Sequence, residues 1–208
     1  MVVLMSDLRS HYHLLLGLDA DWRVDDVELK MSENRVEISL VHGGGQLRCA
    51  ECDQGCSQAD TAPPRQWRHL DTMQFETIIK ARVPRSKCSS CGVKTIAVPW
   101  SGKHSRFTLM FEALAISILQ AARSVSSGAD VLGVSWKTAH TLMRRGVERG
   151  LERRGDEPID YIGIDEKSFG KGQDYVSLMV DIEGSRVLEV AKDRSEESCD
   201  QLLSLIHI

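Results

Sequence analysis

Ser126-Ser127-Gly128-Ala129-Asp130-Val131-Leu132-Gly133-Val134-Ser135-Trp136-Lys137-Thr138-Ala139-His140-Thr141-Leu142 is the stretch on which the reading of this 208-residue chain turns. Ala129 is small where two helices would approach closely, and Gly133, four residues on, suits the left-handed backbone of a turn. Val134 plugs the space between the helices. Ser135 caps the free N–H groups of the helix that follows. The pattern predicts a helix-turn-helix. Its second helix would present Ser135, Trp136, Lys137, Thr138 and His140 to a DNA groove, with Arg144 and Arg145 near phosphates. The plainer alternative is a helical hairpin with Gly at its bend.

Working outward, Phe107, Phe111, Leu114, Ile118 and Ala121 recur at helical spacing, so a helix over Phe107–Ala122 should precede this motif. A short helix should follow Ser126, and a third should run from Ser135 to about Arg154, weakened by Gly146 and Gly150. Charge is distributed in the same sense. Residues 101–154 carry a net +5 and residues 49–100 a net +2, whereas residues 1–48 carry −3 and residues 155–208 carry −8. A basic middle suits phosphate contacts, and an acidic end suits hard-metal ligands.

Upstream, Val27, Leu29 and Met31 alternate, then Val36, Ile38 and Leu40, with Ser32-Glu33-Asn34 between them; this predicts a β-hairpin. Gly43-Gly44-Gly45 links it to Cys49-Ala50-Glu51-Cys52. Arg65 to Val83 is strand-rich after a loop at Thr61–Pro64, and Cys88-Ser89-Ser90-Cys91 follows. Two Cys-x-x-Cys pairs, here 35 residues apart, are the spacing of zinc knuckles. Each knuckle sets two thiolates on one side of a turn, and Gly92 supplies a residue able to take positive φ. Cys49, Cys52, Cys88 and Cys91 are therefore the predicted ligands of a structural zinc, with Cys56, His69 and His104 as rivals. The segment before residue 100 reads as β-rich and too poor in large apolar side chains to be stable without such a staple.

Downstream, Gly155-Asp156-Glu157-Pro158 reads as a linker. Tyr161–Asp165, Tyr175–Ile182 and Arg186–Ala191 alternate like strands, with turns at Gly170/Gly172 and Glu183-Gly184 and a helix from about Ser195. Asp165 and Glu166 end the first strand. A carboxylate there, grouped with further acids, can hold Mg²⁺; alone, an Asp at a strand end is most often a turn or cap residue. No run of apolar residues is long enough to span a membrane, and the start lacks the pattern of a secretory leader, so a chain of the reducing cytoplasm is expected.

Taken in order, the Cys pairs, Trp67-Arg68-His69-Leu70-Asp71 before Ala81-Arg82-Val83-Pro84-Arg85, the helix-turn-helix, and Tyr161-Ile162-Gly163-Ile164-Asp165-Glu166-Lys167-Ser168-Phe169 make the chain resemble the ISL-three family of bacterial insertion-sequence transposases. The resemblance runs from about residue 13 to about residue 203. It implies an α+β multidomain protein: a small β-rich zinc-binding domain over 1–100, a helical helix-turn-helix domain over 101–154, and over 155–208 the first strands of a ribonuclease-H-like catalytic domain. It implies binding of double-stranded DNA at the terminal inverted repeats, no membrane, and a place on the nucleoid of the bacterial cytoplasm, with a homodimer as the candidate assembly. Asp165 matches the first acid of the family's Asp-Asp-Glu triad, which in intact relatives holds Mg²⁺. Asp181 and Asp193 do not match the second. The expectation is a truncated, catalytically inactive transposase; the alternative is a zinc-containing helix-turn-helix regulator.

Overall fold

The structure is a computed structural model that describes residues 8–153, 155, 158–168 and 174–204. It forms two compact units, Met1–Glu152 and Arg153–Ile208. The expected turn at Gly170/Gly172, Phe169, the centre of the linker at Asp156-Glu157, and the last four residues lie outside the described residues.

The first unit begins with a helix, Leu8–Leu15 (α1), followed by Trp22–Lys30 (β1), Arg35–His42 (β2), Leu47–Arg48 (β3), Gly55–Thr61 (β4), Arg65–Arg68 (β5), Glu76–Ala81 (β6), Pro84–Cys88 (β7) and Gly92–Thr95 (β8). β1 and β2 make the expected hairpin, paired antiparallel from Trp22 with His42 to Lys30 with Arg35. Its connection is one short 3-10 turn at Met31–Glu33 closed by Asn34 at φ 48°, a left-handed position that asparagine tolerates. β2 and β6 then pair in parallel. Parallel neighbours need a crossover, and this one carries the chain out of the first sheet, of order β1-β2-β6-β5, to start a second of order β3-β4-β7-β8.

Alternation along the first sheet buries Trp22, Val24, Val36, Ile38, Leu40, Trp67, Ile79 and Ala81, joined by Tyr12 of α1, Val83 and Trp100. Trp100 packs edge-on against Trp22 at 4.7 Å and against Trp67 at 5.4 Å between ring centroids. Three indoles, each burying roughly 150–250 Å², give this sheet a core of its own. That corrects the expectation that the whole segment before residue 100 is short of apolar side chains. The shortage is confined to the second sheet, where Leu47 is the only large aliphatic side chain buried in a strand, beside the sulfurs of Cys49 and Cys88.

Leu109–Ala121 (α2), Val125–Leu132 (α3) and Trp136–Glu152 (α4) follow. Thr108, Ser124 and Ser135 cap them, each side-chain oxygen accepting from the N–H three residues on; α3 thus starts slightly before the point the sequence implied. Leu114, placed on the inward stripe from sequence, is exposed, and the face that packs is Phe111, Ala115, Ile118 and Leu119 against Leu132, Val134 and Leu142. Two glycines permit the close approach. A Cβ on Gly128 would stand 2.7 Å from Leu119 Cδ2, and one on Gly146 would stand 2.6 Å from Ile116 Cδ1. Gly146 therefore does not interrupt α4, and its lower helix propensity is offset by contact with α2.

Residues 100 and 101 are joined without a linker. Arg68 of β5 donates its N–H to Arg106 O at 2.8 Å and accepts from Thr108 N–H at 3.0 Å, so strand hydrogen bonding runs directly into the cap of α2.

In the second unit, Ile162–Ser168 (β9), Tyr175–Asp181 (β10) and Arg186–Ala191 (β11) form an antiparallel sheet of order β11-β10-β9. Glu196–Ser204 (α5) buries Leu202 against Met179, Leu188 and Ala191. Five helices and three sheets make the described residues an α+β chain, and no helix among them is long and apolar enough to cross a membrane.

Candidate metal centre and nucleic-acid interface

The two knuckles meet because β4 and β7 are partners. Their antiparallel register, from Ser57 with Lys87 to Thr61 with Pro84, folds the intervening residues back and sets the turn before β4 beside the turn after β7. Cys49, Cys52, Cys88 and Cys91 then lie with their sulfurs all within 4.8 Å of one another, and Cys52 Sγ is 3.6 Å from Cys88 Sγ. Bonds of about 2.3 Å in a tetrahedron require sulfurs about 3.8 Å apart, so the cluster fits one zinc ion. The knuckles are alike in backbone as well. Asp53 at φ 56° follows the first and Gly92 at φ 76° the second, so one of the two left-handed positions is filled by Asp rather than Gly.

The amide N–H groups of Cys91 and Ser90 point at Cys88 sulfur and pull its thiol down to about 6. The hydrogen bond shared with Cys52, together with burial, pushes Cys91 up to about 12. Four thiols this close release all their protons only to a cation. Among the described residues these four are the only group able to surround a metal. Of the rivals, Cys56 donates to Gln54 O at 3.3 Å, His69 is buried against Thr108, and His104 stands exposed in the loop before α2.

On α4, Trp136, Lys137, His140 and Arg144 share an exposed face, with Ala139 and Leu142 turned inward. Trp136 and His140 stack at 5.2 Å between centroids. Ser135 is spent as the cap, and Thr138 turns to it, oxygen to oxygen at 2.9 Å. Arg145 is drawn the other way. Its Nε lies 3.4 Å from Glu112 Oε1, and Arg149 binds the other carboxylate oxygen. Ser105 Oγ donates to Glu112 Oε1 at 2.6 Å, and Glu112 is fully buried. The structure thus makes Arg145 a tie between α2 and α4 rather than an outward group. Sequence reasoning passed over Glu112, although it is the single charge in α2, with Arg145 and Arg149 one helical turn apart on α4. It also passed over Thr141, which lies on the exposed face beside Lys137.

His69 marks the junction of sheet and helices. It is buried, with Nδ1 2.9 Å from Thr108 Oγ1, the cap of α2. Burial, followed by the nearby Arg68 guanidinium, lowers its pKa to about 4. Because the unfolded chain then takes up the proton first, stability is complete above about pH 6.5 and is lost as pH falls toward 4. Between pH 6.5 and 4.5 the loss from this group should be about 2 kcal/mol. Urea unfolding at both pH values should show a smaller difference for His69→Gln than for the parent chain; equal differences would refute the assignment.

Asp165 lies exposed on β9 opposite Leu178, with Oδ1 accepting from the N–H of Glu166 at 2.8 Å. Asp181 closes the turn between β10 and β11, accepting from Gly184 N–H at 2.8 Å and pairing with Arg186. Asp193 is held down to about 2 by the Ser195 side chain, then by the Ser198 hydroxyl and the Ser195 N–H, at the start of α5. Both are committed to local turns, and among the described residues no group of three acids gathers at Asp165, so those residues do not fit a Mg²⁺ site.

Three models of known domains match the chain in succession. Residues 46–91 match the zinc-finger of transposase IS204/IS1001/IS1096/IS1165, residues 96–147 the helix-turn-helix domain of transposase family ISL3, and residues 162–207 the transposase domain of that same family. The chain is 29% identical over 188 residues to the transposase for insertion sequence element IS1557 of Mycobacterium tuberculosis, covering 86% of this chain and 42% of that protein. It is 25% identical over 185 residues to the transposase for insertion sequence element IS1001 of Bordetella parapertussis, covering 88% and 45%. It thus spans less than half the length of these relatives. No solved structure matches it.

Proposed function

We propose, on the premise that the chain belongs to the ISL3 family of insertion-sequence transposases, that it is a DNA-binding transposase fragment that recognises the terminal inverted repeats of its element. The observation that carries this reading is the outward face of α4, where Lys137 and Arg144 flank the stacked Trp136 and His140 behind a capped, glycine-turned helix pair. Such a helix can lay its first turns against base edges in the major groove while its later turns meet phosphates. Residues 1–100 then act as the zinc-bearing part, 101–154 as the reading head, and 155–208 as the opening of a ribonuclease-H-like domain. Cys49, Cys52, Cys88 and Cys91 hold a zinc that is structural, because four thiolates leave no open position for water or substrate.

Asp165 is this chain's contribution to a carboxylate set of the kind that binds Mg²⁺ in transposition. With one such carboxylate, no cleavage step is assigned to the residues described. A zinc-containing regulator would share the first two parts, but the match over 162–207 favours the transposase. Paired inverted repeats would be met by two copies of the chain, on the nucleoid.

Binding to duplexes carrying the element's ends, followed by fluorescence anisotropy over a range of salt, tests the reading. Lys137→Ala should narrow the gap between repeat and random sequence, with roughly a tenfold loss on the repeat, whereas Arg144→Ala should weaken all sequences alike. A chain with no affinity for any duplex at low salt would end the proposal.

A further inference from the structure

Between the first zinc knuckle, β8 and the loop Ser101–His104 lies a cleft of about 510 Å³, and its charged lining is predominantly cationic. Lys94 of β8, Lys103 and His104 of the loop, and Arg65 of β5 all face it; Glu51, inside the first knuckle, is the one acid. Glu51 accepts from Lys103 Nζ at 2.9 Å. The Arg65 guanidinium has two contacts there, lying 4.8 Å over the Trp67 ring and donating to Ser105 O at 3.4 Å. His104 sits at φ 59°, a left-handed backbone that turns the loop at the cleft. Arg65, Lys94 and Lys103 against one carboxylate leave a concave site with a net charge of +2, where field lines concentrate on an anion.

The cleft also borders the reading head. Arg145 of α4 donates to Lys103 O at 3.4 Å, and Gly102 lies so near that a Cβ on it would stand 2.9 Å from the Arg145 guanidinium. The loop that carries Lys103 and His104 is therefore strapped to the helix that meets DNA. Zinc has a place in this arrangement as well, since it fixes the knuckle that forms one wall.

We propose that this cleft is a second DNA-contact site, in which Lys94, Lys103, His104 and Arg65 receive a backbone phosphate of the duplex whose bases lie against α4. The proposal rests on the DNA-binding reading above. The site is blind to sequence, because a phosphate oxygen carries no base identity. The arriving phosphate competes with Glu51 for Lys103, so Glu51 sets a ceiling on affinity. Its role is to hold the duplex in register along the zinc-bearing part.

The test uses the full chain with its zinc and a duplex carrying the element's end. Lys94→Ala with Lys103→Ala should weaken binding by roughly tenfold or more at physiological salt and flatten the plot of log affinity against log salt by about 0.9, the equivalent of the one phosphate contact. Repeat and random duplexes should lose equally. Glu51→Gln should tighten binding several-fold, a gain that misfolding does not produce. Lys87→Ala removes one charge from the neighbouring strand, on the opposite face from Lys94 because Ser86 is the residue paired with Lys94; it should leave the slope unchanged. A double variant with parent affinity and slope, while Arg144→Ala is impaired, overturns the cleft and spares the α4 reading. Loss of all binding by the parent chain fells both. Saturation of the cleft by millimolar inorganic phosphate, with no effect of the double variant on DNA, would make it a small-anion site and likewise overturn the proposal.

Discussion

Cys88→Ser should bring the zinc content of the purified chain from one equivalent to less than about half, and should unfold one sheet while sparing another. Apparent binding free energies of structural zinc at neutral pH are about 10–16 kcal/mol, and in the sheet β3-β4-β7-β8 little else opposes the entropy of ordering the chain. Leu47 is the only large aliphatic side chain its strands bury. The sheet β1-β2-β6-β5 stands on Trp22, Trp67, Trp100, Ile38 and Ile79, which owe nothing to the metal. Elemental analysis with hydrogen exchange separates the two. Amides of β4 and β7 should lose protection in the variant, whereas those of Ile38 and Ile79 should keep it. Full zinc content in the variant, or simultaneous loss of protection in both sheets, would contradict this division.

Glu112→Ala should destabilise the first unit by about 3–5 kcal/mol, the range for removing one partner of a buried, hydrogen-bonded ion pair. Glu112 is fully buried and holds Ser105, Arg145 and Arg149 at once, so its loss frees the loop before α2 and two turns of α4. Glu112→Gln keeps the shape and the hydroxyl contact and should cost less. The comparison that isolates burial is Glu148→Ala. Glu148 faces Arg144 across 3.7 Å with both side chains exposed, and its removal should cost no more than about 0.5 kcal/mol. Urea midpoints of the three variants decide the matter; a Glu112→Ala midpoint near that of Glu148→Ala would show that the buried cluster contributes nothing net.

Local signals sufficed for much of this. The alternation of Val36, Ile38 and Leu40, the cap at Ser135, the turn at Gly133 and the paired cysteines each depend on residues close in the chain, where spacing alone sets geometry. The three strands and the helix after residue 160 were legible for the same reason. Asp165 lies on the strand where the alternation placed it, whereas the turn roles of Asp181 and Asp193 came from the structure.

Only the tertiary structure decided the features made by distant residues. The parallel pairing of β2 with β6 is invisible to a period-two pattern, because each strand reads the same whichever neighbour it takes. That crossover separates the tryptophan core from the cysteine cluster, and a composition count over residues 1–100 merges the two. Leu114 and Arg145 were misplaced because a helical stripe fixes relative phase but not which edge meets the neighbour, and Glu112, 33 residues from Arg145, supplies the missing constraint. By itself, then, the sequence determined the β1–β2 hairpin, the three helices around Gly133, the strands and helix after residue 160, and which four cysteines would cluster; helix α1 and the short strands β3, β4 and β8 were not legible in it. The depth of Glu112, the seam between sheet and helices at Arg68 and Thr108, and the cationic cleft required the fold, since each arises from contacts between groups that chain spacing does not bring together.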